Sequence, residues 1–237
     1  MNAIVIGASS GIGAQLAIDL AKTGYSVGLM ARRRDLLDKI ASTLHTPAVV
    51  KTIDLTNPSS AKVNLVELIS EMGDVDLFVI SSGVGYENPN LEWEFEEKTI
   101  AVNVSGFASM ANIAVEHLTS RGSGHLVGIS SIAAVRGNGG APAYGASKAF
   151  VTNYLQAIQH RFSKSNQPLF VTDVRAGFID TAMAKGDGLF WVAPVKKASR
   201  QIVQAIKERK SHVYVTKRWR VVAWLLRLMP DWLYRRI

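Results

Sequence analysis

Tyr144 and Lys148 are the residues whose types and spacing most directly suggest chemistry. They stand four positions apart at the start of a segment with a helical pattern, so both side chains would share one helix face. A nearby ammonium favours phenolate and lowers a tyrosine pKa from its ordinary value of about 10. We therefore expect Tyr144 to donate or accept a proton near neutral pH. Ser131 follows a predicted buried strand and would meet this pair at one rim of a sheet, the alternative being that Tyr144 and Lys148 share a face by accident.

The elements that would position these residues follow a regular alternation. Apolar strands alternate with segments in which apolar residues recur at helical spacing, which predicts a parallel sheet with helices on both faces. We predict an α/β protein, a single-domain Rossmann fold with a doubly wound, seven-stranded parallel sheet. The strands are predicted at 2–6, 27–31, 48–53, 76–80, 124–130, 169–174 and 212–215, and the longest helical regions at 92–119 and 143–163.

A glycine-rich turn follows the first predicted strand. Gly7, Gly11 and Gly13 lie between that strand and a helix, where glycines permit a tight turn, the close approach of a pyrophosphate and close packing of helix on sheet. The helix N-terminus offers free N–H groups and a partial positive charge. In this strand–turn–helix context the pattern predicts a dinucleotide site, which would give Tyr144 a cofactor to face.

The composition argues against several other classes of protein. The 237-residue chain has no cysteine, so it has neither disulfides nor thiolate metal ligands, and its 5 histidines lack metal-ligand spacing, so we predict no metal site. The net charge of +8 is concentrated at the end: residues 196–237 hold 12 lysines and arginines against 2 acids, and residues 1–195 hold 15 against 17. A nucleic-acid partner for the whole chain is therefore not expected. We expect no signal peptide and no membrane-spanning segment, and hence a cytoplasmic protein.

Several sequence motifs between residues 4 and 181 recur together in one protein family. They are Gly7-Ala-Ser-Ser-Gly-Ile-Gly13, Asp54-Leu55, Val102-Asn103-Val104, Ser131 and Tyr144-Gly-Ala-Ser-Lys148. In combination they resemble the short-chain dehydrogenase/reductase family. The resemblance implies an oxidoreductase that transfers a hydride between a nicotinamide and a carbonyl or alcohol substrate. Two departures are that Ser81-Ser82-Gly83 stands where the family usually has Asn-Ala-Gly, and that Ala176 replaces a usual proline.

The same resemblance implies a role for each predicted catalytic residue. Tyr144 would be the general acid for carbonyl reduction and the base in the reverse direction. Lys148 would lower the Tyr144 pKa and bind the nicotinamide ribose, Ser131 would bind the substrate oxygen, and Asn103 would hold a water of the proton relay. Hydride transfer to a carbonyl develops alkoxide charge, which positioned donors must stabilise and protonate.

The residues after the second strand choose between the two nicotinamide dinucleotides. A carboxylate there would bind the adenosine ribose 2′-hydroxyl of NAD, but Ala31 is followed by Arg32, Arg33 and Arg34. A guanidinium pairs with a 2′-phosphate, and an anion would relieve the conflict of three cations with the dipole of a helix N-terminus. We therefore predict NADP(H), with Arg32 as the first candidate and Arg33 as the second, against the alternative of a solvated helix start.

The full set of predicted cofactor contacts combines these arguments with the resemblance, which implies that Asp54 and Leu55 hold the adenine edge and that the turn at Ser82 runs under a ribose. The set is Gly7, Ser9, Ser10, Gly11, Ile12, Gly13, Arg32, Arg33, Asp54, Leu55, Ser82, Gly83, Asn103, Tyr144, Lys148, Ile179 and Thr181.

Residues 217–237 form a basic amphipathic tail beyond a predicted dinucleotide-binding domain of residues 1–216. One apolar face of its helical wheel is formed by Trp219, Val222, Ala223, Leu226 and Met229. Further apolar residues widen that face beyond an ordinary amphipathic stripe. Six basic residues against one acid, with three tryptophans, match an interfacial membrane helix. A contact between subunits and packing on the body of the protein are equal alternatives.

The substrate and partners follow from the tail and from the family resemblance. The tail is similar, less closely than the core motifs, to that of reductases acting on polyprenyl-phosphate-linked keto-sugars. This implies a lipid-linked carbonyl substrate as an alternative to a small molecule, with peripheral contact to the cytoplasmic face of the membrane. The family resemblance implies a homodimer or homotetramer. The loop at 182–192, with Phe190 and Trp191, is predicted either to close over an apolar ligand or to seat the next helix.

A function of a different class is a catalytically idle NADP-binding regulator or membrane-surface scaffold. Such a protein would be expected to lack one of Ser131, Tyr144 or Lys148. All three are present, so the sequence favours an enzyme.

Overall fold

The structure is a computed structural model of the chain and describes residues 1–183 and 190–236. A single parallel sheet has the strand order β3-β2-β1-β4-β5-β6-β7. The strands are β1 (Asn2–Ile6), β2 (Ser26–Ala31), β3 (Ala48–Thr52), β4 (Leu77–Ile80), β5 (Gly124–Ser131), β6 (Leu169–Ala176) and β7 (His212–Val215). This seven-stranded, doubly wound arrangement confirms the predicted fold class.

Helices cover both faces of the sheet. They are α1 (Gly11–Lys22), α2 (Arg34–Ala41), α3 (Pro58–Met72), α4 (Trp93–Ile100), α5 (Phe107–Arg121), α6 (Pro142–Ser163), α7 (Val195–Lys207), α8 (Trp219–Leu228) and α9 (Asp231–Tyr234). Successive strand residues point to opposite faces. Ile4 and Ile6 therefore join the core under α3, α5 and α6, whereas Ala3 and Val5 join the core under α1, α2 and α7.

The strand order reverses direction beside β1. The first three strands extend to one side of β1, and β4 pairs on its other side, so that Ile6 lies in register with both Met30 and Ile80. In open α/β sheets, ligands bind at the carboxyl ends of the strands at such a switch point. Gly7 follows β1 and Ser81 follows β4, so the glycine turn and the Ser81–Gly83 turn meet at this crevice.

The helical region predicted at 92–119 is interrupted in the structure. A π-helical turn, Ala101–Gly106, joins α4 to α5. A Cβ atom on Gly106 would lie 2.7 Å from Cβ of Leu55, so the close approach of this turn to the chain after β3 requires glycine. π-helical turns are rare and recur at functional sites. This one places Asn103 in the interior, where it is 1% exposed.

The tail folds back on the body. Trp219 and Ala223 are buried in a small apolar cluster with Ile132 and Tyr214, and the other members of the predicted apolar face, Val222, Leu226 and Met229, are half-buried. Within the described ranges, no helix combines the length and apolar character needed to cross a bilayer.

Candidate active site

The glycine turn after β1 is built for close approach of backbone to backbone. Gly7 adopts φ +93°, a left-handed conformation, and a Cβ there would lie 2.5 Å from the amide nitrogen of Ser82. A Cβ on Gly13 would overlap the carbonyl oxygen of Gly7. Ser10 is the N-cap of α1 and its side chain makes no capping hydrogen bond. The free N–H groups at this helix start therefore face the crevice, where a pyrophosphate would be bound.

Arg33 reaches across to this turn from the end of β2. Its Nη2 atom donates hydrogen bonds to Ser9 Oγ at 3.0 Å and to Ser10 Oγ at 2.9 Å. Arg32 is exposed, and its positive charge instead helps to lower the pKa of the Asp54 carboxyl. The structure thus joins Arg33, ranked second from the sequence, to the phosphate turn. A guanidinium held beside two hydroxyls is chemically suited to a phosphomonoester.

The predicted adenine contacts lie after β3. Asp54 Oδ1 accepts hydrogen bonds from the Thr56 amide at 3.0 Å and from Thr56 Oγ1 at 2.9 Å. The amide hydrogen bond, with help from the Thr56 hydroxyl and Arg32, holds the pKa of the Asp54 carboxyl below its ordinary value. Leu55 is buried in the core under α5, so its contribution to an adenine pocket can come only from its main chain.

Among the remaining predicted cofactor residues, Ser82 and Thr181 lie beside the glycine turn. A Cβ on Gly11 would lie 3.2 Å from Thr181 Cγ2, so the chain after β6 passes over the phosphate turn. Ile179 is buried behind it and forms a parallel bridge with Ala193. Ser82 Oγ is buried and has no hydrogen-bond partner among the described residues. The glycine cradle, this unpartnered hydroxyl and the Arg33 cluster fit a phosphorylated dinucleotide.

The predicted catalytic side chains meet at the carboxyl end of β5. Ser131 is the last residue of that strand, and Tyr144 lies in the first turn of α6. The Ser131 hydroxyl lies near enough to the Tyr144 phenol to lower its pKa. The Ser131 hydroxyl also accepts from the Ala133 amide at 3.1 Å and donates to the Ala176 carbonyl at 3.3 Å. These two backbone partners hold Ser131 in one orientation beside the phenol.

The Tyr144 pKa corrects an expectation drawn from the sequence. Burial raises the pKa of Tyr144 above its ordinary value, and the nearby Ser131 hydroxyl offsets only part of that effect. The Lys148 Nζ atom lies 5.8 Å from the centre of the Tyr144 ring and donates its hydrogen bond to the Ile129 carbonyl at 2.9 Å rather than to the phenol, so the effect of burial on the Tyr144 pKa prevails. Burial also lowers the pKa of Lys148 to about 8, against the attraction of Asp173.

Asn103 is committed to holding the backbone. Its Oδ1 accepts from the Val84 amide at 2.8 Å, and its Nδ2 donates to the Val84 carbonyl at 2.7 Å and to Ser147 Oγ at 3.0 Å. A Cβ on Gly83 would lie 3.4 Å from Asn103 Oδ1 and 3.2 Å from Lys148 Nζ. The side chain therefore fixes the turn after β4 against α6. Its amide groups are already used in these contacts and have little capacity left to hold a relay water.

Two supporting residues were not predicted from the sequence. A Cβ on Gly85 would lie 2.7 Å from Cδ2 of Tyr144, so the flat backbone at Gly85 is the surface on which the phenol ring rests. Ser147 accepts from Asn103 and donates to the Tyr144 carbonyl at 2.8 Å. The second glycine of the Ser81–Gly85 turn is a visible signal for the first contact. Ser147 lies within the Tyr144–Lys148 motif, but no local pattern marks its hydrogen bond with Asn103, which is 44 positions away in the chain.

The substrate side of the site is bounded by the tail. Arg136, in the segment between Ser131 and Tyr144, pairs with Asp231 at 2.7 Å, and the Tyr234 hydroxyl donates to the Gly137 carbonyl at 2.7 Å. On the opposite rim the Trp219 indole packs against the backbone of Gly177.

The predicted substrate loop is only partly described. Its residues 184–189 lie outside the described ranges. Phe190 packs against Phe178 and Trp219, with ring centres 5.9 and 5.1 Å apart, and remains half-exposed, as does Trp191. Phe190 and Trp191 thus pack on the aromatic cluster that docks the tail.

The fold and the site define the chain as an α/β protein with a dinucleotide-binding crevice and a Ser–Tyr–Lys group beside it. A family profile described as short chain dehydrogenase matches residues 1–189. The protein belongs to the short-chain dehydrogenase family and is an oxidoreductase of that family.

Curated relatives agree with this assignment. An uncharacterised oxidoreductase of Staphylococcus epidermidis is 30% identical over 186 residues, which cover 78% of this chain and 80% of the relative. An uncharacterised oxidoreductase of Mycobacterium tuberculosis is 30% identical over 246 residues, which cover 98% of this chain and 95% of the relative. The second alignment therefore includes most of the tail as well as the family core.

Solved structures share the fold. An alcohol dehydrogenase from the archaeon Thermococcus sibiricus, complexed with 5-hydroxy-NADP, superposes with a TM-score of 0.80 at 22% identity, covering 90% of this chain and 94% of the other. A short-chain dehydrogenase/reductase from Burkholderia phymatum, in complex with NAD, gives 0.86 at 17% identity, covering 94% and 92%. These neighbours bear on the fold alone, and they include complexes with both kinds of dinucleotide.

Proposed function

We propose that the protein is an NADP(H)-dependent carbonyl reductase or alcohol dehydrogenase with Tyr144 as general acid and base. The observation that carries the proposal is the meeting of Ser131, Tyr144 and Lys148 beside a phosphate turn to which Arg33 is hydrogen-bonded. The bound nicotinamide would supply or accept the hydride. Gly7, Gly11, Gly13 and the α1 N-terminus would hold its pyrophosphate, with Ile12, Asp54, Leu55, Ser82, Ile179 and Thr181 lining the rest of its path.

Within this proposal, Ser131 and Tyr144 act on the carbonyl oxygen of the substrate. Ser131 donates a hydrogen bond to that oxygen, and Tyr144 gives it a proton as alkoxide charge develops. The raised pKa of Tyr144 keeps the phenol protonated at neutral pH, which is the form that donates a proton during carbonyl reduction. Lys148, with a pKa of about 8, is mostly protonated at neutral pH and supplies the one positive charge beside the phenol that the described residues show.

Asn103 and Gly85 position the acid in this scheme. Gly85 supports the Tyr144 ring, and Asn103 holds the Val84 backbone next to it. Because the Asn103 amide is already used in hydrogen bonds to Val84 and Ser147, we assign any relay water to the main chain of the π-helical turn rather than to the amide.

The choice of NADP(H) is supported by the Arg33 cluster. The Ser9 and Ser10 hydroxyls and the Arg33 guanidinium form one cluster of hydrogen-bonding groups, and such a cluster is suited to a 2′-phosphate. An NAD-selective site would instead present a carboxylate at the end of β2, and the position is Ala31.

Steady-state kinetics test the proposed reaction directly. We expect reduction of some member of a panel of aldehydes and ketones, both small and lipid-linked, with a much higher kcat/KM for NADPH than for NADH. Tyr144→Phe should reduce kcat by roughly 10²–10⁴-fold, as loss of a general acid does. Tyr154→Phe removes a phenol hydroxyl from the same helix, in a stack with Phe150, and should leave kcat unchanged. Full activity in Tyr144→Phe would refute the mechanism, and preference for NADH would refute the Arg33 argument.

We further propose that the enzyme works in the cytoplasm, that residues 217–237, docked on the body through Trp219 and Ala223, make peripheral contact with the membrane, and that the enzyme forms homodimers or homotetramers. Support for the membrane contact comes from exposed apolar residues on the tail: Trp224, Leu228 and Trp232 are 61%, 61% and 63% exposed. Deletion of the tail is a poor test, since Trp219 is buried in the body. Replacement of Trp224 and Leu228 by serine tests the contact without opening the core.

A further inference from the structure

Helix α8 presents three different sides. Trp219 and Ala223 face the body, and the exposed Trp224 and Leu228 point the opposite way. Arg220 and Arg227, seven positions apart and therefore on one ridge, lie on the flank between those two sides. An interfacial membrane helix needs only an apolar face and a polar face. The flank that carries Arg220 and Arg227 faces a groove in the surface of the protein.

The groove has a volume of about 760 Å³ and lies between α6 and α8, floored by β6 and β7. Arg220, Trp224 and Arg227 form its α8 wall. Its floor includes Arg175, whose Nε atom pairs with buried Asp173 at 2.7 Å. Its α6 wall includes Thr152, whose hydroxyl is buried and has no hydrogen-bond partner among the described residues. The groove lies outside the crevice that holds the phosphate turn.

The charges in the groove are unevenly matched. Asp173 is its one lining carboxylate among the described residues, and Arg175 already pairs with it. Neither Arg220 nor Arg227 forms an ion pair within residues 1–183 and 190–236. His212 also lines the groove. Burial lowers the pKa of its imidazole, and the positive charges of Arg175, Arg220 and Arg227 lower it further. A polar recess with two unmatched guanidinium groups is suited to an anion.

We propose that this groove binds the phosphate group of an anionic lipid, with Arg220 and Arg227 as its ligands and the apolar side of α8 in the lipid layer. Trp224 lies at the boundary, because it both lines the groove and belongs to the exposed apolar side. A phosphate in the groove would then place the apolar side of α8 at the depth of the acyl chains. The inference rests on the membrane contact proposed for the tail, to which it adds a ligand and a site.

Vesicle sedimentation of the full-length protein tests the site. The probes are phosphatidylcholine vesicles with and without phosphatidylglycerol, and inorganic phosphate alone by calorimetry. We expect partitioning to require phosphatidylglycerol. Each basic residue near an anionic surface contributes about 1 kcal/mol, or roughly fivefold, so Arg220→Gln with Arg227→Gln should weaken partitioning about 25-fold. The matched control is Lys197→Gln with Arg200→Gln, the same loss of charge on exposed α7, across the sheet. That control should change partitioning less than about threefold, because exposed charges beyond roughly 10 Å are screened.

Each other outcome overturns the proposal in a distinguishable way. Equal weakening by the two double variants would mean that net charge, rather than this groove, attracts the protein. Uptake of inorganic phosphate without any preference for phosphatidylglycerol would mean that the ligand is not a lipid. Loss of a dimer in the Arg220 and Arg227 variant, with partitioning intact, would assign this side to a second copy. If the full chain partitions into neither kind of vesicle, the proposed membrane contact itself fails. If the Trp224→Ser, Leu228→Ser variant loses partitioning and the arginine variant keeps it, the membrane contact is retained and the phosphate site is rejected.

Discussion

Replacing Lys148 by methionine should separate stability from catalysis. The Lys148 side chain is 6% exposed, and burial lowers its pKa from 10.5 to about 8. At 1.36 kcal/mol for each tenfold change in proton affinity, the folded protein is destabilised by about 3 kcal/mol when this lysine is protonated. Methionine has a similar volume and no charge. It loses the hydrogen bond to the Ile129 carbonyl, worth about 1 kcal/mol, so Lys148→Met should be more stable at pH 7 by about 2 kcal/mol.

The pH dependence supplies the sharper test. Because the unfolded chain binds the Lys148 proton up to about pH 10.5 and the folded chain releases it near pH 8, wild-type stability from this group rises between those values. The advantage of the methionine variant should therefore shrink as pH rises from 7 to 10. Urea denaturation of both proteins at the two pH values measures this difference, and other titrating groups cancel between them.

The control for this experiment is Lys62→Met, on the exposed surface of α3. A surface substitution of this kind should change the free energy of unfolding by no more than about 0.5 kcal/mol. An unchanged difference between wild type and Lys148→Met at pH 7 and 10, or a methionine variant less stable than wild type at pH 7, would show that burial does not dominate the environment of Lys148. Loss of NADPH-linked activity in the same variant would confirm that the buried cation serves function at a cost in stability.

Three further predictions concern the support of Tyr144, the choice of dinucleotide and the docking of the tail. Gly85→Ala should displace the Tyr144 ring, since the new Cβ would lie 2.7 Å from it. This change should lower kcat by about tenfold or more, while circular dichroism shows little loss of fold. A variant with wild-type kcat would show that the ring position is not critical. Arg33→Gln should raise KM for NADPH by roughly 10- to 100-fold, the value of charge-assisted hydrogen bonds, and leave KM for NADH unchanged; equal effects on both would remove the 2′-phosphate assignment. Trp219→Ala should lower the free energy of unfolding by about 3–5 kcal/mol. Asp231→Asn, at an exposed ion pair, should change it by less than about 1 kcal/mol. If denaturant titrations gave similar losses for both variants, burial of the Trp219 side chain would not be what docks the tail on the body.

Much of the fold is readable from local patterns. Alternation of apolar strands with helical repeats predicts all seven strands, and each is present. The signal is strong because a strand buried on both faces, such as Ile4–Ile6, leaves a continuous apolar run. The π-helical turn at Ala101–Gly106 is not readable in this way. It depends on close contact between Gly106 and Leu55, which are distant in the chain.

The candidate site divides along the same line. Tyr144 and Lys148 share a helix face because α6 has the period expected of it, and the glycines at 7, 11 and 13 mark the phosphate turn. The protonation of Tyr144, in contrast, does not follow from this spacing. The spacing of Tyr144 and Lys148 predicts a lowered phenol pKa, yet the structure raises it, because desolvation depends on everything that surrounds the hydroxyl and not on one neighbour in the helix.

The sequence by itself thus determined the doubly wound sheet, the glycine turn and the identities of the Ser–Tyr–Lys group. These follow from local periodicity and from backbone conformations that only glycine adopts easily. Only the tertiary structure decided that Arg33 rather than Arg32 meets Ser9 and Ser10, and that the tail buries Trp219 while leaving Trp224 exposed. Side-chain reach, burial and charge are set by residues brought together from distant parts of the chain, and no linear pattern encodes that proximity.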